Sequence, residues 1–503
     1  MKKLKNFIFF LFVVSMLSGN LLAQQPATIK IDLDRIIDKV DPNIYSAFVE
    51  PIRATVYGSI YDPESPFADE NGFRKDFINL MKELNIKSVR WPGGNFVSGY
   101  NWYDGIGPKN QRPAKRDLAW NQIETNQMGT DEYVKFCNLI GADNFLCING
   151  GTGTLDDARN WIEYCNGEKG TYYADLRVKN GNEEPFKIKY VGLGNEIDGP
   201  WQMGQKSKED YCKFALEAGK LIRLIDRDIK LVASGASLYR PGNEWIEWND
   251  YVLDQMVGNI DYISVHRYAT EALPGGRQNR NFSDLMCLGL DIDEKIETTQ
   301  ALIKKAMVKS GSKRPVYISF DEYSGGFGGL SSSLLLAQHL NSFLRHADIV
   351  KMANLTMITS LVGNSPDGDF KNSVFHTFYL YSNNAQGTSL DVHTKCDSYD
   401  NEVFKNILYL DVTAVLNEAA KKVVVNIVNR HETEAIESII VLQSGEYSGK
   451  AIINQINAET INARNTKDDQ PIKIQSEQVN FKGNTIKQTF PAHSFTQIEI
   501  SLN

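Results

Sequence analysis

Metal and nucleotide signatures are missing from this chain. There is no HExxH pair and no Walker loop, and the glycine-rich run from Gly325 to Gly329 has neither the GxGxxG spacing nor a βαβ context. Zinc-hydrolase, NTPase and nicotinamide chemistry therefore lose their usual supports, and no cofactor is implied. The six cysteines (137, 147, 165, 212, 287 and 396) are scattered with no CxxC pair, which excludes a zinc ribbon and a small disulfide scaffold and makes buried free thiols the expected state. Positive charge is also short: 54 Lys and Arg stand against 62 Asp and Glu, for a formal charge of −8. Nucleic acid is excluded as a natural partner on that balance. No apolar run reaches the roughly 20 residues of a membrane-spanning helix, so no stable membrane span is expected.

What is present is a long chain, 503 residues with 42% apolar side chains, enough for one large domain and a smaller one. Residues 1–23 stand apart, with Lys2, Lys3 and Lys5 before an apolar run from Phe7 to Leu17 and a possible cleavage site at Leu21-Leu22-Ala23. This pattern is that of a secretory signal peptide and predicts export to the periplasm or beyond. Residues 24–42 contain an alternating strand, Ala27 to Asp34, with no helix of its own, which is expected to pair with the C-terminal domain. Eight apolar runs then follow: Ile44 to Glu50, Ser88 to Gly94, Asn144 to Gly150, Tyr190 to Glu196, Leu231 to Gly235, Tyr262 to Tyr268, Val316 to Glu322 and Leu355 to Val362. Amphipathic helical patterns lie between several of them, as in Phe73 to Leu84 and Lys208 to Ile225, so residues 43–385 predict an α/β fold, a (β/α)₈ TIM barrel. After about residue 385 the helical period disappears. Short strands separated by Gly, Asn and Asp make 386–503 an all-β sandwich, with Asn462 to Gln470 a long solvated loop.

The ends of the barrel strands carry the chemistry. Read in order they supply Glu50, the Gly93-Gly94-Asn95 turn, Asn149, Asn195 with Glu196, His266 with Tyr268, and Glu322. In a parallel barrel the C-terminal ends of the strands face one mouth, and side chains there are held by a rigid element. Glu196 alone could merely cap the next helix, His266 could be a satisfied core histidine, Glu50 could simply pair with Arg90, and Trp91, Trp102, Trp120 and Trp201 could be packing. Together, two strand-tip glutamates surrounded by amides, His, Tyr and Trp201 suit a sugar site. Paired carboxylates hydrolyse glycosides in two geometries, about 5 to 5.5 Å apart when configuration is retained and farther apart when it is inverted. Spacing in sequence does not choose between them.

Several long segments carry a resemblance: RWPGGNFVSGYNWYDGIGP (90–108), RDLAWNQIETNQMGTDEY (116–133), GTGTLDDARNWIEYCN (151–166), GLGNEIDGPWQMG (192–204), DYISVHRY (261–268) and ISFDEY (318–323). In register from about residue 40 to 380, the chain resembles the α-L-arabinofuranosidases of glycoside hydrolase family 51. The resemblance implies a retaining mechanism with Glu196 as acid/base and Glu322 as nucleophile. It also implies Glu50, Asn95 and Asn195 on the furanose hydroxyls, with His266 and Tyr268 flanking the nucleophile. The implied substrate is a plant cell-wall arabinan or arabinoxylan saccharide, trimmed from its non-reducing ends. A homo-oligomer is left open. Three positions depart from the family pattern: Pro51 stands where a histidine is usual, Met357 where a glutamine contacts the sugar, and Tyr323 where a tryptophan follows the nucleophile. These departures keep open the same chemistry on a xyloside, galactofuranoside or β-glucan, and an inactive carbohydrate-binding barrel is the reading from another class.

Overall fold

The computed structural model describes residues 26–503 apart from 241, 243, 277–280, 325 and 327. The expected leader, residues 1–23, lies outside the described residues. Eight strands close a parallel barrel in chain order: β1 (Ser46–Phe48), β2 (Ser88–Trp91), β3 (Asp143–Cys147), β4 (Tyr190–Leu193), β5 (Lys230–Ala233), β6 (Tyr262–Arg267), β7 (Tyr317–Tyr323) and β8 (Val350–Leu355). Nearly every residue of these strands is buried, because one face fills the barrel and the other lies under helices. The helices are amphipathic in the expected way. Lys75–Glu83 buries Phe77, Ile78 and Met81, and Lys208–Ile225 begins on Ser207, whose hydroxyl accepts from the Asp210 N–H.

Two strands differ from the sequence reading. β1 is shorter than Ile44 to Glu50, because Asp41 caps a 3₁₀ turn over Pro42–Tyr45 and withdraws Ile44 and Tyr45 from the ladder. β8 is Val350–Leu355 rather than Leu355 to Val362; pairing with β7 ends at Leu355, and Ile358–Leu361 forms a 3₁₀ turn. The apolar run that looked like the eighth strand is the loop beyond its tip, which places Met357 at the mouth instead of within the wall.

The C-terminal domain is a sandwich of a four-stranded and a seven-stranded sheet. The N-terminal segment contributes to both. Ala27–Ile31 lies between His393–Lys395 and Ile436–Leu442, while Ile36–Lys39 edges the larger sheet beside Thr388–Leu390. Barrel and sandwich share the helix Leu330–Arg345, which is buried along almost its whole length. Its polar side chains are satisfied across the joint: Asn341 donates to Asp411, and Gln338 accepts from Arg430. The segment Asn462 to Gln470 is only partly the solvated loop expected of it. The backbone carbonyls of Ile461 and Ala463 accept from Ser331 and Leu330, so they cap the free N–H groups at the start of that helix, and Asn465 is buried.

All six cysteines are unpaired, five of them buried. Among the described residues no helix is long and apolar enough to cross a membrane.

Candidate active site

The barrel topology delivers the strand tips to one place. Oxygen atoms of Glu196 and Glu322 and a ring nitrogen of His266 all lie within 4.8 Å of one another, and all three residues are buried. Glu196 follows β4 after Gly194, and both adopt positive φ, 45° at the glutamate. A non-glycine residue in that region carries strain on the order of 1 to 3 kcal/mol, held here by the contacts of its carboxylate. One Glu196 oxygen lies 3.0 Å from His266 Nδ1, and the other accepts from the Trp201 indole at 3.1 Å.

Glu322 is surrounded by donors. Arg90 Nη1 donates to Oε1 at 2.8 Å, the Tyr268 hydroxyl donates to Oε2 at 2.8 Å, and His266 Nδ1 is 3.6 Å from Oε1. The two glutamates consequently titrate in opposite directions. Burial, reinforced by the charge on Glu322, pushes the Glu196 carboxyl up against the pull of His266 and Trp201. Burial acts on Glu322 too, but the cations His266 and Arg90 and the Tyr268 hydroxyl outweigh it and hold that carboxyl below its ordinary value. The environment thus favours the proton on Glu196 and the charge on Glu322.

Arg90 does not pair with Glu50. Its guanidinium reaches Glu322, Asp321 at 3.4 Å and Asn195 Oδ1 at 2.5 Å. Asn195 is buried, and its Nδ2 has no protein partner. Glu50 accepts instead from the Phe96 N–H and the Trp120 indole, both at 2.8 Å. Burial, together with the charge on Glu322, pushes Glu50 up to about 8. Asn95 is half-buried and accepts from Gln202 at 2.7 Å, which ties the loop after β2 to the loop after β4. Gly93 and Gly94 keep this floor open. A Cβ on Gly93 would come within 2.4 Å of Glu50 Cβ, and one on Gly94 within 3.2 Å of Glu50 Oε2 and 3.3 Å of Glu322 Oε1.

Eight of the nine residues picked from sequence thus border one site, Trp201 at its exposed edge; the Asn149 amide is instead spent on the Tyr100 carbonyl and on Gly151 and Thr152 of its own loop. Sequence reasoning missed Asp321, and it read Arg90 and Trp120 only as structural. Asp321 escaped notice because alternation should turn it away from Glu322. β7, however, carries one more residue than either neighbour between Ser319 and Tyr323, and this bulge brings both acids to Arg90. Trp120 sits on a small hairpin, Lys115–Asp117 and Gln122–Glu124, latched to the β1 tip where Gln122 donates to the Pro51 carbonyl. The departure at Tyr323 does not touch the pocket: the ring points outward, buried against Phe320, His339 and Phe343.

A closed (β/α)₈ barrel with two glutamates meeting at its mouth, their carboxyls shifted in opposite directions, defines the class of barrel glycoside hydrolases. Comparison with known proteins narrows it. Family profiles for an alpha-L-arabinofuranosidase 1 domain and an alpha-L-arabinofuranosidase C-terminal domain match residues 80–273 and 328–494. The probable alpha-L-arabinofuranosidase C of Aspergillus clavatus is 37% identical over 94% of this chain and 97% of its own. The intracellular exo-alpha-(1->5)-L-arabinofuranosidase of Halalkalibacterium halodurans is 35% identical over 88% and 91%. The solved α-L-arabinofuranosidase of Thermotoga maritima in complex with arabinose superposes with a TM-score of 0.86 at 32% identity, covering 95% of this chain and all of that one. The chain belongs to the α-L-arabinofuranosidases of glycoside hydrolase family 51.

Proposed function

We propose that this glycoside hydrolase cleaves terminal non-reducing α-L-arabinofuranosyl residues with retention, with Glu322 as nucleophile and Glu196 as acid and then base. The observation that carries the reading is the contrast between two carboxyls whose oxygens lie within 4.8 Å of each other, one pushed up and the other held down. Glu322 attacks the anomeric carbon while Glu196 protonates the departing oxygen; Glu196 then takes a proton from the water that releases the sugar. A separation within 4.8 Å between oxygens is well below the roughly 6.5 to 9.5 Å at which an inverting pair makes room for its attacking water. Arg90 and Tyr268 keep Glu322 ionised and aimed. Asn195 offers its unpaired Nδ2 to a sugar hydroxyl, Glu50 and Asn95 hold others, and Trp201 flanks the leaving group.

The natural substrates of this reading are side chains and ends of plant arabinan and arabinoxylan saccharides, met by an exported enzyme. The basic-then-apolar leader supports export, although the Halalkalibacterium relative is named intracellular. N-terminal sequencing of enzyme from the periplasm and medium tests it; a mature form starting at Met1 in the cytoplasm refutes it.

The roles are separated by leaving group. Glu196→Ala should lose about 10²- to 10⁴-fold on poor leaving groups, still form the glycosyl-enzyme from activated aryl arabinofuranosides, and regain turnover with azide. Glu322→Ala should form no such intermediate by mass spectrometry. Inverted product, or azide rescue confined to the Glu322 variant, would reverse the assignment.

A further inference from the structure

His266 touches both members of the pair, and the residue behind it has no part in the reading above. Its Nδ1 faces Glu196 at 3.0 Å and Glu322 at 3.6 Å, while Nε2 faces Asp321 Oδ1 at 3.2 Å. Asp321 reaches that position only through the β7 bulge, and its other oxygen lies 3.4 Å from Arg90 Nε. We propose that Asp321 is a positioning residue that fixes His266 as a standing cation between Glu196 and Glu322, and so sets the pH at which Glu196 gives up its proton.

This rests on the assignment of Glu196 and Glu322 as the reacting pair. A neutral imidazole carries one N–H and no charge; an imidazolium donates to Glu196 and also turns its second N–H toward the Asp321 carboxylate, an ion pair at 3.2 Å that is too poorly aligned to be a hydrogen bond. Burial opposes the charge, but Glu322, Asp321 and Glu196 outweigh it and hold His266 up to about 10. The other charged groups around the imidazole are Arg90 on β2 and, after β4, Asp198, held by the Ser237 N–H and hydroxyl. Neither replaces Asp321: Arg90 repels the imidazolium, and Asp198 is committed elsewhere. With its charge fixed, His266 stays protonated through both steps and steadies the Glu196 carboxylate that forms when the leaving group is protonated. The proton that moves is then always that of Glu196.

The sign of one shift tests the idea. If Asp321 maintains the cation, Asp321→Asn lets His266 go neutral in the working range. Glu196 then loses a positive neighbour, and the alkaline limb of kcat/KM moves up by about half a pH unit or more. If His266 keeps its charge regardless, removal of the nearby anion moves the same limb down, and the proposal fails. A variant that is merely misshapen loses activity with its limbs in place, which also overturns it. Ring ¹⁵N spectra of the histidine-labelled enzyme, assigned with His266→Gln, give a readout independent of turnover. In wild type His266 should remain an imidazolium at pH 8.5, and in Asp321→Asn it should titrate below that. A neutral His266 in the wild-type spectrum overturns the proposal without any Asp321 variant. Failure of the glutamate roles appears instead in the azide and trapping experiments.

Discussion

Glu322 has Arg90, His266 and Tyr268 favouring its charge, whereas burial and a like charge work against ionisation of Glu196. In the proposed mechanism the active form holds the first ionised and the second protonated. Its acid limb is therefore set by Glu322 below the ordinary glutamate value of about 4.3, and its alkaline limb by Glu196 above it. A bell-shaped kcat/KM should result, and an acid limb falling above about pH 6 would contradict the assignment. The floor of the pocket makes a steric prediction. Gly94→Ala puts a methyl between Glu50 and Glu322, 3.2 and 3.3 Å from their oxygens, so it should cost about ten- to a hundredfold in kcat/KM by displacing one of them. Thermal stability should change little, and an unchanged kcat/KM would mean that the floor gives way. Met357 stands beyond the β8 tip where relatives of the family pattern carry an amide, and a thioether cannot donate. Met357→Gln should improve arabinofuranoside kcat/KM by about 1 kcal/mol, roughly fivefold. Unchanged or impaired kinetics would show a pocket rebuilt around the methionine.

At the scale of elements, the barrel and its glutamates were legible because a parallel strand announces itself as an apolar run and delivers its last residue to the mouth. Glu196 and Glu322 each close such a run. What alternation could not show is the bulge in β7, since an extra residue reverses the facing of everything after it. Asp321 was invisible for that reason. The eighth strand was displaced because Ile358 and Leu361 are buried in a 3₁₀ turn and Val362 in a two-residue strand paired with Lys371 outside the barrel, and periodicity cannot separate such a buried run from a barrel strand. The hairpin carrying Trp120 has three-residue strands and no apolar face, so nothing marked it. Its latch to the β1 tip gives it a measurable part. Trp120→Phe keeps the ring but removes the indole N–H from Glu50, and should lower kcat/KM by about 1 to 2 kcal/mol. If the phenylalanine variant matches wild type while Trp120→Ala does not, the ring's packing matters and the hydrogen bond does not.

At the scale of the whole molecule, one buried carboxylate gathers several of the contacts between the shared helix and the sandwich. Asp411, on the sandwich strand Leu410–Asn417, accepts from Arg345 of the shared helix at 2.5 Å and from Asn341 at 3.1 Å, and lies 3.2 Å from the Arg430 guanidinium. It is almost wholly buried. Arg345 also pairs with Asp293 of the barrel; burial works against the charge there, but Arg345 and His346 outweigh it and hold the Asp293 carboxyl down to about 2. That pair's contribution is fully present above the ordinary aspartate value of about 3.9 and fades as pH falls from there toward about 2. Removing Asp411 leaves Arg430 buried without its carboxylate and Arg345 with only one of two. A broken buried pair of this kind costs about 3 to 5 kcal/mol. Asp411→Ala should therefore lower the thermal midpoint by several degrees. The shared helix packs on both domains, so the transition should also broaden or split as barrel and sandwich lose their common edge. Glu196 and Glu322 are held by barrel strands, so kcat of the folded variant at moderate temperature should stay close to wild type. Calorimetry with activity measured on the same samples separates these outcomes. An unmoved midpoint would show that the joint stabilises little, and a midpoint that holds while kcat falls would mean that Asp411 supports the active site without stabilising the joint.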